Sequence, residues 1–279
     1  MIAAAYAPTV LGATPFPTGY FLLALFGVII LHLSANVLND YFDWVSGADQ
    51  VNTKFFQQYS GGSRSIDLGL ISVKGTLMVG LALLTVSTLT GLFLWQRVGD
   101  GVLVFGIAGA FLGFFYTAPP VRLVARRGLG ELAIGMAFGP FLTGGMHYVL
   151  TGQYSPMAML MGFPIGLLTS NILLINQVPD MESDAKTGKN HLVVTFGLNA
   201  AVGIYAGTWI LAAVVTVVFA LAASKPWMIV SAVSLCALAI PNTIYFKKHL
   251  HDRSLVKGNV KTIAITLIYG LLCAVGAWL

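Results

Sequence analysis

The sequence predicts an all-α integral membrane protein: nine transmembrane helices, as two four-helix halves plus one, around a central cavity. Three observations carry this expectation. Of 279 residues, 57% are hydrophobic and only 9% charged, and the mean hydropathy is +0.84, a composition that soluble domains do not reach. Apolar runs long enough to span as helices recur along the whole chain. An acidic motif also appears twice, each time where an apolar run ends.

In chain order the expected span cores are 2–13, 20–38, 73–95, 102–116, 130–150, 156–175, 200–223, 227–246 and 262–279. The first is short, and no basic segment of the kind that opens a cleavable signal precedes it. The chain reads as one domain, 1–279, with cap loops at about 45–72, 117–129, 180–198 and 247–261. The polar stretch from Ser46 to Ser72 is the longest and includes Gln57, Gln58, Gly61-Gly62-Ser63-Arg64 and Asp67. A loop of that length is expected to be an ordered lid or a ligand-contacting loop. Cys236 and Cys273 lie in different expected helices and form neither a disulfide framework nor a metal spacing, so both read as core.

Charge placement supports the helix count. Of 15 Lys and Arg, only Arg97 and Lys225 fall on the side opposite the even-numbered loops. The positive-inside rule then places those loops, and both acidic motifs, at the cytoplasmic face of the cell (inner) membrane. That bias also accounts for the net charge of +5 without a nucleic-acid partner.

The first motif is Asn39-Asp40-Tyr41-Phe42-Asp43, continuing to Asp49; the second is Asn176-Gln177-Val178-Pro179-Asp180-Met181-Glu182-Ser183-Asp184. Four expected helices separate them, an even number, so they emerge on the same side. Residues three and four apart share a helical face. Asn36, Asn39, Asp40 and Asp43 therefore crowd one helix end, and Asn176, Asp180 and Asp184 another, with Pro179 expected to bend or end the second helix. Carboxylates at the edge of hydrocarbon are costly and usually functional. If the two ends face each other, their carboxylates cannot all stay ionised without cations. Hard oxygen donors suit Mg²⁺, which keeps waters and binds through a few carboxylates plus substrate phosphates. Arg64 follows two glycines, Arg122 leaves the Tyr116-Thr117-Ala118-Pro119-Pro120-Val121-Arg122 turn, and Lys186 and Lys189 follow the second motif. Cations beside metal-holding carboxylates make a diphosphate site. The competing reading for each basic residue is a topogenic or headgroup charge, and for the acidic ones ordinary interfacial helix-end charge.

These residues resemble the two signatures of the UbiA-type intramembrane prenyltransferases. The resemblance covers nearly the whole chain: Asn39-Asp40-x-x-Asp43 with Asp49, Asp180-x-x-x-Asp184, the Tyr116 loop and the Gly188-Lys189 turn. Within that family, Gly61-Gly62-Ser63-Arg64 and Asn176-Gln177-Val178-Pro179-Asp180 look most like the MenA branch, which prenylates 1,4-dihydroxy-2-naphthoate in menaquinone biosynthesis. The chain departs from the family at one point. The family's Tyr-x-x-x-Lys spacing would need Lys at position 120, where this chain has Pro120, and Arg122 is the nearest replacement charge.

The resemblance implies an isoprenyl diphosphate whose headgroup sits among the Asp–Mg²⁺ clusters and whose tail threads between helices, open to membrane lipid. Two Mg²⁺ ions would be held by Asn39, Asp40, Asp43, Asp49, Asp180 and Asp184. Arg64 and Arg122 would stabilise departing pyrophosphate, with Asn39, Tyr116, Asn176 and Lys189 also contacting substrate. Asp43, Asp49, Asp180 and Asp184 are the expected catalytic residues, with Asp49 or a neighbouring carboxylate orienting or deprotonating the aromatic acceptor. Tyr41, Phe42, Tyr59 and Tyr116 are expected either to shield a carbocation or to pack at the interface. Relatives use other acceptors, including 4-hydroxybenzoate, homogentisate and glycerol-phosphate lipids.

A divalent-cation transporter is the main non-enzyme alternative, but it should carry acidic residues near the midplane or along a continuous path. Here they cluster on one side, and the other offers only Asp100. His32, His147, His191, His249 and His251 share no metal spacing with the aspartates, and none is expected to be catalytic. Glu131, at a helix start, reads as a dipole partner.

Overall fold

The computed structural model describes residues 1–56 and 62–279. Gln57, Gln58, Tyr59 and Gly61, singled out above, lie outside the described residues. The described chain is helical throughout, with one isolated bridge, between Arg126 and Asn190. Its α-helices are α1 (Ile2–Tyr6), α2 (Pro8–Leu11), α3 (Thr18–Val45), α4 (Ala48–Val51), α5 (Val73–Val98), α6 (Gly101–Phe115), α7 (Leu129–Met136), α8 (Leu142–Thr151), α9 (Pro156–Lys186), α10 (Leu192–Ala222), α11 (Met228–Lys248) and α12 (Leu255–Trp278).

Six of these, α3, α5, α9, α10, α11 and α12, are long and apolar enough to cross a membrane. The other three expected spans take different forms. The first is short: α1 and α2 run on through Ala7, whose backbone is helical, as one apolar stretch Ile2–Leu11. The fourth, α6, has 15 residues and rises only about 22 Å. The fifth is α7 and α8 joined by a π-helical turn, Ala137–Phe141, that contains Pro140. A π-turn absorbs the hydrogen bond proline cannot make, which is why an apolar run legible as one helix folds as three pieces.

Helix starts follow their sequence signals. The Ser72 hydroxyl caps α5 by accepting from the Gly75 N–H at 3.0 Å. Ser155 caps α9 through the Ala158 N–H at 3.1 Å, with Pro156 in the first turn, where a missing N–H costs nothing.

Pro179 does not end α9. The helix runs 31 residues through Pro164 and Pro179 to Lys186, about 46 Å. Only 187–191 of the loop expected over 180–198 is non-helical. The cost of Pro179 is confined to one backbone bond, and the turns on either side are buried against neighbours that hold them. α3, with 28 residues, is also longer than the roughly 30 Å hydrocarbon core. Both motif helices are therefore longer than a straight crossing of the hydrocarbon needs.

α3 packs mainly on α5, and α9 on α10, so each motif helix pairs with the next long helix. In the first pair Ser34 Oγ donates to the Gly80 carbonyl at 2.8 Å and Ser87 Oγ to the Gly27 carbonyl at 2.9 Å. In the second half a buried polar network ties α9 to α12: Asn171 Nδ2 donates to the Tyr205 carbonyl at 3.0 Å, and Asn242 Nδ2 to the Tyr205 hydroxyl at 2.9 Å. That hydroxyl lies 2.6 Å from Thr262 Oγ1. Such side-chain bonds hold membrane helices together where apolar contact alone gives little preference over lipid. Cys273 is buried, as expected, but Cys236 is exposed on α11 and is not a core residue.

Candidate active site

α3 and α9 do not pack closely on each other; a cavity of about 830 Å³ lies between them, walled also by α5, α6 and the α7–α8 segment. On α3 the lining residues Ala24, Gly27, Val28, Leu31, His32, Ala35, Asn36, Asn39 and Asp43 form one stripe at helical spacing. From Ala24 to Asp43 that stripe rises about 28 Å, nearly the hydrocarbon thickness. On α9 the stripe is Thr169, Ile172, Leu173, Asn176, Gln177, Asp180 and Asp184. The cavity is thus graded: apolar along most of its length, carboxamide near one end, carboxylate at that end.

Asp43, Asp49, Asp180 and Asp184 all line the polar end, and all are under 10% exposed. Asp43, Asp49 and Asp180 are each held by a partner from another element. Lys189 Nζ donates to Asp43 Oδ2 at 2.9 Å. Asn52 Nδ2 donates to Asp180 Oδ1 at 2.8 Å. His191 Nε2 stands 3.2 Å from Asp184 Oδ2. His191 Nδ1 accepts from the Val194 N–H at 3.4 Å, while the buried Nε2 makes no hydrogen bond among the described residues. The Lys189–His191 segment is fixed by the Arg126–Asn190 bridge, where the Arg127 N–H donates to the Asn190 carbonyl at 2.8 Å.

Burial pushes the Asp49 carboxyl up to about 7, helped by the charge of Asp43 and opposed by Arg64 and Lys189. Burial alone would lower the Lys189 ammonium, but Asp43 and Asp184 outweigh it and hold its pKa above the ordinary lysine value.

The other expected site residues divide. Asn39, Tyr116, Asn176 and Lys189 line the cavity. Asn176 Oδ1 accepts from Asn259 Nδ2 of α12, which leaves its amide nitrogen for the cavity. Asp40, Arg64 and Arg122 are not among the lining residues. Asp40 receives the Ser63 N–H at 3.1 Å and the Ser63 hydroxyl, and so anchors the loop after α4. Arg64 is buried; it donates to the Asp49 carbonyl at 2.7 Å, lies 3.3 Å from Asp49 Oδ1, pairs with Asp67 at 2.9 Å and stacks over Phe55 at 4.4 Å. It braces Asp49 instead of reaching into the cavity. Arg122 takes a left-handed backbone, φ 41°, before the 3₁₀ turn Leu123–Ala125.

Sequence reasoning gave no site role to three residues of this wall: Asn52, Gln177, quoted only as part of the second motif, and His191, set aside with the other histidines. His191 carried a signal, since it directly precedes an apolar run as an N-cap. Asn52 carried none, being 128 residues from the aspartate it holds. Glu131 does more than face a helix dipole: it is buried and its Oε1 accepts the Leu192 N–H at 2.9 Å, which docks the start of α10 on α7.

Among the described residues no group of three His, Cys, Asp or Glu side chains is placed to hold an ion unaided. The donor set still fits Mg²⁺, which seldom takes an all-protein cage. Four carboxylates converge on the polar end, and Asn39 Oδ1, buried in the same wall, has no hydrogen-bond partner among the described residues.

A multi-pass membrane protein with paired acidic helix ends over a long apolar chamber is the class that this fold and site define. The UbiA prenyltransferase family matches residues 1–255, and the chain belongs to that family. It is accordingly an enzyme of prenyl transfer. It is 23% identical over 266 residues to the 1,4-dihydroxy-2-naphthoate octaprenyltransferase of Bacillus subtilis (strain 168), covering 92% of this chain and 80% of that one. To the enzyme of the same name from Haemophilus influenzae it is 31% identical over 207 residues, 70% of this chain and 65% of that one. Among solved structures, a UbiA homolog from Archaeoglobus fulgidus bound to GPP and Mg²⁺ has the same fold, with a TM-score of 0.70 at 16% identity over 99% of this chain and 93% of that one.

Proposed function

We propose that this protein transfers an isoprenyl chain from an allylic isoprenyl diphosphate to 1,4-dihydroxy-2-naphthoate, releasing pyrophosphate, as a step of menaquinone biosynthesis. The observation that carries this is the convergence of Asp43, Asp49, Asp180 and Asp184 at one end of a chamber that is otherwise apolar. The names of the relatives from Bacillus subtilis and Haemophilus influenzae support the acceptor. The GPP and Mg²⁺ bound to the Archaeoglobus fulgidus homolog support the diphosphate and the metal. The chain is read as nine membrane segments in two four-helix halves plus one, with the acidic end at the cytoplasmic face, where basic residues concentrate.

Two Mg²⁺ ions, when bound by Asn39, Asp43, Asp49, Asp180 and Asp184, supply Lewis-acid neutralisation of the diphosphate. Lys189 adds a positive charge beside Asp43, and Asn52 holds the Asp180 carboxylate. The allylic C–O bond breaks heterolytically, and its electron pair leaves with pyrophosphate. The dry walls of α3, α5 and α6 keep water from the allylic cation. The ring carbon of the acceptor that bears the carboxylate forms the new C–C bond, and the ring regains aromaticity as that carboxylate leaves as CO₂, with no net proton released. Tyr116, on the wall beside Lys189, is placed to contact the headgroup or the cation.

The test is product identification. The purified protein is incubated with geranylgeranyl diphosphate, Mg²⁺ and a panel of acceptors, and products are weighed by mass spectrometry. A prenylated, decarboxylated naphthalenediol is expected. A product from 4-hydroxybenzoate with none from dihydroxynaphthoate overturns the reading.

A further inference from the structure

Gln177 lies on the α9 face that carries Asn176, Asp180 and Asp184, and it forms part of the cavity wall. It is 5% exposed, and neither Oε1 nor Nε2 has a hydrogen-bond partner among the described residues. A buried amide unmet on both edges is rare in native proteins and asks for a reason. Its neighbour differs, because Asn176 Oδ1 is already engaged by Asn259. Gln177 sits three residues before Asp180, about 4.5 Å deeper along the helix toward the apolar chamber. That is the level just below the carboxylates, where a carbon leaving the headgroup would meet its acceptor.

The chemistry of the unmet edges selects the ligand. Ionised diphosphate oxygens only accept hydrogen bonds, so alone they leave Oε1 unmet; a metal ion takes only lone pairs, so alone it leaves Nε2 unmet, and the two together belong to the carboxylate level above Gln177. A hydroxyl both donates and accepts, and a hydroxyl beside a carboxylate or carbonyl offers a donor and an acceptor together. The carboxamide is also neutral, so it adds nothing to the charge that the four aspartates already impose. We infer that Gln177 binds and orients the aromatic acceptor by hydrogen-bonding a ring hydroxyl and its neighbouring oxygen, which turns the reactive ring carbon toward the chamber. This inference rests on the aromatic-transfer reading above.

The test separates the two substrates kinetically in the purified full-length protein with Mg²⁺, geranylgeranyl diphosphate and 1,4-dihydroxy-2-naphthoate. Gln177→Leu removes both edges at similar volume, and is expected to raise the acceptor KM about tenfold or more while leaving the isoprenyl diphosphate KM unchanged. Gln177→Met serves the same purpose should the leucine variant fail to fold. In the wild type, methylating the acceptor's hydroxyls is expected to cost as much as the substitution does, and in the variant to cost little more. A rise confined to the acceptor KM, with this loss of discrimination, establishes the assignment. A rise in the diphosphate KM, or no change in either, overturns it. Absence of any aromatic product from the wild type brings down the transfer reading as well, and that arm is read before any variant is made.

Discussion

Lys189 Nζ and Asp43 Oδ2, 146 residues apart, meet at 2.9 Å with side chains only 13% and 12% exposed. This contact joins the loop after the second acidic motif to the helix end of the first. Removing one member of a buried pair leaves an uncompensated charge, commonly a loss of about 3–5 kcal/mol. Lys189→Met is expected to lower the melting temperature in the absence of Mg²⁺ and to recover part of that loss when Mg²⁺ is added. Turnover should fall by about 10²-fold or more, the scale of removing one electrostatic donor at a reacting centre. Melting curves with and without Mg²⁺, beside initial rates, check both; an unchanged rate refutes a role in the site.

Asp43 and Asp180 come from different helices and line the same polar wall. If they share one headgroup, neither motif works alone. Asp43→Ala and Asp180→Ala are each expected to abolish prenyl transfer while the protein still purifies as a folded species. Asn52→Ala, which takes one hydrogen bond from Asp180 Oδ1 without removing the carboxylate, should cost only about tenfold, in line with losing one hydrogen bond to a charged group. Near-normal turnover in either aspartate variant contradicts the shared site.

Much of this site is legible in the sequence, and the reason is periodicity. Asn36, Asn39 and Asp43 recur at helical spacing, so their common face follows from the residue numbers. The pairing of Asp43 with Lys189, of Asp180 with Asn52 and of Arg64 with Asp49 is not legible, because no local pattern encodes which loop folds over which helix end. Arg64 illustrates the limit: its glycine neighbours suggest a ligand contact, yet tertiary packing turns it onto Asp49 and Phe55. Pro179 misleads for a different reason. A proline's preference to end a helix is a few kcal/mol, and burial of the surrounding turns of α9 exceeds it.

Asp49 gives the site a pH signature. Its carboxyl is raised from 3.8 to about 7, first by burial and then by the charge of Asp43. A carboxyl raised in the folded state binds its proton more tightly there than in the unfolded chain. Its contribution to stability is therefore favourable at low pH, declines as pH rises above about 4, and is gone above about 7. With divalent ions chelated, Asp49→Asn is expected to match the wild type near pH 4 and to exceed it in melting temperature at pH 8. Equal melting temperatures at pH 8 contradict the burial argument.

The helix crossing behind the site makes the last prediction. At Gly166 on α9, an added Cβ would run into the carbonyl oxygen of Gly135 on α7 and come within 3.1 Å of Gly139 Cα. Those atoms are backbone and cannot swing aside, so the α9 crossing must open for any side chain larger than hydrogen. Close small-residue crossings of this kind hold membrane helices together by packing alone. Gly166→Ala is therefore expected to cost about 1–3 kcal/mol, the range for overpacking, and to lower activity by moving the Asp180 and Asp184 end of α9. Gly203 on α10 is the control, because a Cβ added there meets nothing within 4 Å and its backbone is ordinary helix. Gly203→Ala should be neutral or stabilising by up to about 1 kcal/mol, from helix propensity. Thermal unfolding in detergent compares the two, and a Gly166→Ala protein as stable as Gly203→Ala would mean that the crossing is not tight.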